Sequence, residues 1–435
     1  MSDLNLKPLR KVFDATFTPP GSKSLTNRAL ILGALADGKS TLRNALFSAD
    51  TTVMMDGLKR LGFPIRRDKR RRAVGIQGRG GGVPAGSASL SCGLSGTTIR
   101  FQAALCALGR GTYRLDGEPR LRQRPIGQLV DLLRNLGARI EYLGRKGYPP
   151  IEVRADGLAG GIARFPAAQS SQFLSAALQV CPLARRETRI DLDSPQTSWP
   201  YVAMTMQLMD RFGVTGELLR DPKTSQPRQI IVPLMPYQPT DYTVEPDASN
   251  ASYFLAAAAV NEGSRITIRG LGKQSLQGDV GFAGLLRQMG AKVEMSPDSI
   301  AVEGTGALEA INANLADMPD MAQTLAVVAL FARGSTTLRG LHTLRVKETD
   351  RVAALARELR KLGARVKIVR DTMAIAPPKA PRGAAIDTYN DHRMAMSFAV
   401  AGTRVRGVTI RDAGCVAKTY PRFFADWAAT LGNRA

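Results

Sequence analysis

A chain of 435 residues, 44% hydrophobic and 22% charged, excludes a disordered polymer and has room for two or three domains at roughly 150 residues each. Lysine and arginine number 60 against 37 aspartates and glutamates, a formal charge of +23. That balance welcomes anions of several classes: nucleic acid, acidic lipid or multiply charged metabolites.

The opening segment, Met1–Phe13, lacks the apolar stretch of a secretory signal. The longest apolar runs, Phe254–Val260 and Leu325–Ala332, fall far short of the about 20 residues of a membrane span. In chain order, six stretches read as buried helices, because they are Ala-rich with little polar surface: Leu25–Ala36, Thr97–Leu108, Ser170–Cys181, Ala251–Val260, Ala322–Ala332 and Arg393–Gly402. After each comes an alternating strand opened by Gly38, Gly111, Glu187, Gly263, Gly334 or Gly407, at steps of 73, 76, 76, 71 and 73 residues. An amphipathic helix then stops at Gly62, Gly137, Gly213, Gly290, Gly363 or Gly432, at steps of 75, 76, 77, 73 and 69. Leu or Met at i and i+3 or i+4 followed by Gly is a helix with a glycine C′ stop. The first five are followed by two short strands, such as Ala138–Leu143 and Pro149–Arg154. The expected architecture is α/β: six βαβαββ units, three in each of two lobes, with the Pro-rich Val232–Tyr242 near the link.

The starts of the Ala-rich stretches are polar: Ser22, Lys23, Ser24 and Arg28; Gly93–Arg100; Ser170, Ser171 and Gln172; Pro246–Ser252; Asp320; and Asp391, His392 and Arg393. A Ser or Asp there reads first as an N-cap. Lys23, Arg28 and Arg393 oppose the helix dipole, which suggests that an anion completes the site. Two clusters add to this, Glu118–Arg124 (EPRLRQR) and Arg345–Arg351 (RVKETDR). The second reads either as a surface salt-bridge cluster or as a grip on carboxylate or phosphate, with Glu348 placed for proton transfer. Lys418 reads either as a snorkelling surface lysine or as part of that grip. The dense basic run Arg66–Arg72 has no interleaved aromatics and reads as a solvated hairpin or strand edge. Cys92, Cys106, Cys181 and Cys415 form no CxxC pair. They fit core thiols in a reduced cytosol better than a disulfide framework or zinc site. With only two histidines, catalysis is expected to rest on Lys, Arg, Asp, Glu and Ser.

The segments PGSKSLTNRALILGALADG, EPRLRQRPIGQLVDLL, SSQFLSAAL, LRVKETDRVAAL, NDHRMAMSFAVAG and AKTYP together resemble the 5-enolpyruvylshikimate-3-phosphate synthases (3-phosphoshikimate 1-carboxyvinyltransferases) of the enolpyruvyl transferase family. The resemblance runs from about Pro19 to Pro421. It implies an inside-out α/β barrel of two lobes, residues 1–21 with 241–435 and residues 22–240, and an active site in the interlobe cleft. It implies transfer of the enolpyruvyl group of phosphoenolpyruvate to the 5-hydroxyl of shikimate 3-phosphate, with no metal or organic cofactor. The expected partners are those two small molecules, with no nucleic acid and no membrane, for a cytoplasmic monomer. A sister group acts on UDP-N-acetylglucosamine and carries a reactive loop Cys that the stretch Glu118–Arg124 lacks.

Carried over residue by residue, the resemblance gives Lys23 contact with both substrates and a part in proton transfer. Ser24, Arg28, Ser170, Ser171, Gln172, Ser198, Thr343 and Lys347 would hold shikimate 3-phosphate. Gly96, Arg124, Gln172, Arg351, Arg393 and Lys418 would hold phosphoenolpyruvate. Asp320 would be the base at the 5-hydroxyl, and Glu348 the partner in protonating C3. Leu94, Thr98, Phe101 and Thr343 depart from the family's usual residues. They bear on the shape of the phosphoenolpyruvate pocket and on sensitivity to glyphosate, which shares that site in the family.

Overall fold

The computed structural model describes residues 3–167 and 169–432; Met1, Ser2, Ala168 and 433–435, at the outer limits of the expected lobe boundaries and in the stretch after Phe165, lie outside the described residues. Twelve α-helices occur among the described residues: α1 (Lys23–Leu35), α2 (Ala49–Arg60), α3 (Gly96–Ala107), α4 (Gly127–Asn135), α5 (Ser171–Val180), α6 (Trp199–Arg211), α7 (Ala248–Val260), α8 (Phe282–Gln288), α9 (Ala322–Val328), α10 (Arg351–Lys361), α11 (His392–Gly402) and α12 (Phe423–Leu431). The odd-numbered helices expose little surface, and α3, α7, α9 and α11 are buried along their whole length. Small Ala side chains let them pack on all sides. The even-numbered helices are two-faced: α10 buries Val352, Leu355 and Leu359 and exposes Arg357 and Arg360. All six glycines that stop the amphipathic helices have positive φ, from 68° at Gly432 to 102° at Gly290. A side chain there would be strained, so the sequence signal has a direct backbone cause.

Five sheets of four strands repeat one topology. In one of them Ser87–Ser91 runs parallel to Arg110–Asp116, which pairs antiparallel with Ile151–Asp156, which in turn pairs antiparallel with Arg139–Tyr142. Two of the five take their leading strand from a distant stretch. Asp14–Phe17 runs parallel to Arg265–Arg269, and Asp241–Thr243 parallel to Lys39–Arg43. The last part of the stretch read as a link is therefore a strand.

The sixth unit departs from the expected pattern. Its sheet has three short strands, Ala385–Ile386, Thr409–Ile410 and Leu4–Asn5, and among the described residues no strand pair follows α12. The N-terminal segment fills that edge, antiparallel to Thr409–Ile410. The basic run forms an exposed hairpin between Ile65–Asp68 and Ala73–Gln77, as its lack of aromatics suggested.

The chain divides into two compact units, Gly21–Val244 and Met1–Pro20 with Glu245–Ala435. In the first, α3 packs on both α1 and α5; in the second, α7, α9 and α11 pack on one another. No helix among the described residues is long and apolar enough to cross a membrane.

Candidate active site

In the unit Gly21–Val244 the candidate residues gather at the starts of α1, α3 and α5. Local capping sets each start. Ser22 Oγ accepts from Leu25 N at 3.4 Å, Ser95 Oγ from Thr98 N at 3.3 Å, and Ser170 Oγ from Gln172 N at 3.3 Å. The cap reading therefore holds for these serines, Ser170 included. Lys23 Nζ lies 3.4 Å from the carboxylate of Asp50, which is buried in the first turn of α2. Ser24 follows on α1, and its carbonyl accepts from Arg28 at 3.0 Å.

Arg28 is 2% exposed. It also donates to Thr205 Oγ1 at 2.7 Å, Ser175 Oγ at 3.3 Å and the Tyr201 carbonyl at 3.3 Å. Its guanidinium stacks 5.2 Å from the Phe101 ring centre. All its hydrogen-bond partners are neutral oxygens, and burial pulls its pKa down to about 10. Arg28 thus ties α1 to α5 and α6 and spends four of its five N–H donors on the protein.

Arg124 is buried and lies against the first residue of α3, where its Nη1 donates to the Leu94 carbonyl at 3.3 Å. A Cβ on Gly96 would stand 2.6 Å from the Arg124 guanidinium carbon. Glycine is needed here for close approach rather than for its torsions. Gln172 joins two helix starts: its Oε1 accepts from Arg100 at 2.6 Å and its Nε2 donates to Thr97 Oγ1 at 3.2 Å. Ser171 opens α5, and Ser198 precedes α6 in a left-handed conformation at φ 53°.

The second unit builds a denser cluster. Asp320 sits in the turn Pro319–Met321 before α9, Arg351 opens α10, Arg393 is the second residue of α11, and Lys418 ends the turn Ala413–Lys418. Arg351, only 1% exposed, is the hub. It donates from Nε to Asp391 Oδ2 at 2.7 Å, from Nη1 to Asp320 Oδ1 at 3.0 Å, and from Nη2 to Glu348 Oε2 at 2.9 Å. Burial alone would lower its pKa, but the carboxylates of Asp391, Glu348 and Asp320 reverse this and hold it above its ordinary value. Arg393 donates to Asp320 Oδ2 at 2.8 Å and to the Tyr253 hydroxyl at 3.1 Å. Burial pushes that phenol up to about 12, against the pull of Arg393. Lys418 Nζ reaches Glu348 Oε1 at 2.9 Å, and Lys347 Nζ lies 3.9 Å from Asp320. Thr343 is buried and its Oγ1 has no hydrogen-bond partner.

Four cations thus meet three carboxylates in this cluster. Neither basic group of the second unit lies wholly at the surface: Lys418 is buried on Glu348, not snorkelling, and in RVKETDR the Arg345–Asp350 ion pair is half-exposed whereas Arg351–Glu348 is buried. Four further residues contact the candidate residues: Asp50, Arg100, Tyr253 and Asp391. Asp391 and Arg100 stood at polar helix starts already noted. Asp50 and Tyr253 had no local signal, since their partners are distant in sequence. Among the described residues no group of three or more His, Cys, Asp or Glu side chains is placed to hold a metal ion.

A family model described as EPSP synthase (3-phosphoshikimate 1-carboxyvinyltransferase) matches residues 10–427. The chain is 45% identical to the 3-phosphoshikimate 1-carboxyvinyltransferase of Nostoc punctiforme over 425 residues, covering 98% of each chain. It is 44% identical to the protein of the same description from Trichormus variabilis over 434 residues, covering all of both. Its fold matches the EPSP synthase structure from Acinetobacter baumannii with a TM-score of 0.81 at 26% identity, covering 99% of this chain and 98% of that one.

Proposed function

The chain belongs to the EPSP synthase family and has 3-phosphoshikimate 1-carboxyvinyltransferase activity, in the shikimate pathway to aromatic amino acids, and from that premise we propose how its residues divide the work. The two substrates are shikimate 3-phosphate and phosphoenolpyruvate. Lys23, Ser24, Arg28, Ser170, Ser171, Gln172 and Ser198 hold shikimate 3-phosphate, with Thr343 and Lys347. The Gly96 N–H, Arg124, Gln172, Arg351, Arg393 and Lys418 receive phosphoenolpyruvate, with Lys23 touching both. Guanidinium forks suit its carboxylate and phosphate.

Asp320 takes the proton of the 5-hydroxyl as that oxygen bonds to C2 of phosphoenolpyruvate, and C3 gains a proton to give a tetrahedral adduct. Loss of a C3 proton then re-forms the double bond as the C2–O bond to phosphate breaks. Lys418 and Glu348, 2.9 Å apart, supply a donor–acceptor pair for the movement at C3, and Lys23 is the second candidate. The cations meanwhile stabilise charge as it moves. The free, buried cysteines suit a reducing cytoplasm.

The observation that carries this reading is Asp320, held between Arg351 and Arg393 at 3.0 and 2.8 Å. Phosphate release from the two substrates tests it. Asp320→Ala is expected to lose at least about 100-fold in kcat, the low end of an acid–base contribution. Turnover at the parent rate would remove Asp320 from the mechanism.

A further inference from the structure

The segment Asp387–Asp391, which leads into α11, is tied to α10 at both ends. At its far end Arg351 holds Asp391, whose Oδ1 also caps α11 by accepting from Arg393 N at 2.9 Å. Two turns along the same buried face of α10 stands Glu358, a carboxylate with no exposure that the mechanism above does not use. Its Oε1 accepts from the Tyr389 hydroxyl at 2.5 Å and its Oε2 from Asp387 N at 3.0 Å. Lys361 Nζ bridges Glu358 at 2.6 Å and Asp387 at 2.7 Å, and Arg357 donates to the Tyr389 hydroxyl at 3.2 Å.

Between the two ties the backbone is in an unfavourable region. Tyr389 and Asn390 are consecutive non-glycine residues at φ 54° and 53°. Such a pair persists only where the surroundings over-determine it. Asp391 is the next residue. Were the turn to relax, Asp391 would shift, and with it the capped start of α11 and the guanidinium of Arg351.

We propose that Glu358 and Tyr389 are positioning residues for phosphoenolpyruvate, acting by holding the left-handed turn Tyr389–Asn390 so that Asp391 sets Arg351 and Arg393. The inference rests on the reading that those two arginines receive phosphoenolpyruvate. It places a determinant of that substrate's affinity two turns along α10 from Arg351, in groups that touch no reactant.

The experiment is steady-state phosphate release, varying each substrate in turn, with Tyr389→Phe, Glu358→Gln, Asn390→Gly, the double variant Tyr389→Phe/Asn390→Gly, and Arg393→Lys. Tyr389→Phe keeps the ring and loses both hydrogen bonds of the hydroxyl, the one to Glu358 and the one from Arg357, so KM for phosphoenolpyruvate is expected to rise about 10-fold. KM for shikimate 3-phosphate should stay within about 2-fold, since loss of one tie leaves the fold intact. Glu358→Gln should act in the same direction. Asn390→Gly removes part of the strain the tie resists, so it should return Tyr389→Phe to within about 3-fold of the parent. A merely structural role would raise both KM values together and show no rescue by glycine, and that result overturns the proposal. So does an unchanged KM for phosphoenolpyruvate in Tyr389→Phe while Arg393→Lys raises it. If Arg393→Lys itself leaves that KM unchanged, the assignment of the arginines falls, and the proposal with it.

Discussion

Replacing Gly96 by Ala separates stability from substrate binding. The new methyl carbon would lie 2.6 Å from the Arg124 guanidinium carbon and 2.7 Å from each terminal nitrogen. Carbon atoms rest at about 3.5–4.0 Å, so the guanidinium must retreat by about 1 Å. It is the end of a flexible side chain, so the fold accommodates the change. Gly96 has helical torsions at the start of α3, where Ala is favoured over Gly by roughly 0.5–1 kcal/mol. Thermal stability should therefore hold or rise slightly. The cost falls on the anion that Arg124 clamps: a displacement of about 1 Å is worth up to about 100-fold in a positioned reaction. We expect KM for phosphoenolpyruvate to rise by about 10- to 100-fold, with binding of shikimate 3-phosphate alone, measured by calorimetry, unaltered. An unchanged KM for phosphoenolpyruvate would show that Arg124 does not grip it from this position. A fall in melting temperature would show that the helix start, not the arginine, had yielded.

Lys418→Met strips Glu348 of one of its two cations and should lower kcat by at least about 100-fold in the same phosphate assay; a change confined to KM would leave Lys418 as a ligand only. The Asp387 carboxyl is held below its ordinary 3.8 chiefly by its hydrogen bond to Lys361. Its stabilising contribution is therefore full above that value and drains away as pH falls through the folded-state pKa. Asp387→Asn should lower the melting temperature at pH 7, with the difference closing as acid protonates the carboxyl in the folded state; a gap that persists in acid would refute the linkage. Reversing charge at Arg70 and Arg71 on the exposed hairpin should leave both KM values within about 2-fold, since solvated surface charge contributes little. A larger rise would make the hairpin part of substrate capture.

The repeat was legible because its signals are local. A glycine that must turn left-handed after each amphipathic helix, and a Ser or Asp that caps every buried one except α9, are written within a few residues of the structure they cause. The cluster around Arg351 was legible only as a set of charges near helix starts. Which charge meets which depends on pairings across long separations, such as Lys418 with Glu348 and Arg393 with Tyr253. Spacing along the chain does not encode these. Arg28 shows the converse: a cation at a polar helix start that looked aimed at a ligand spends most of its donors on the protein. The borrowed strands Asp14–Phe17 and Asp241–Thr243 were hidden for a topological reason, since each completes a sheet whose other members lie far along the sequence.

The strand Leu4–Asn5 has a practical consequence for handling the protein. Beyond it, Leu6 N bonds the Val408 carbonyl at 2.9 Å and Leu9 N the Thr403 carbonyl at 2.8 Å, so residues 4–9 act as a sealing strip along Thr409–Ile410 and the stretch before it. Trimming them, or letting a protease nick them during purification, would bare a hydrogen-bonding edge to other molecules. Preparations clipped at the amino end should precipitate on storage even while freshly made material still turns over substrate.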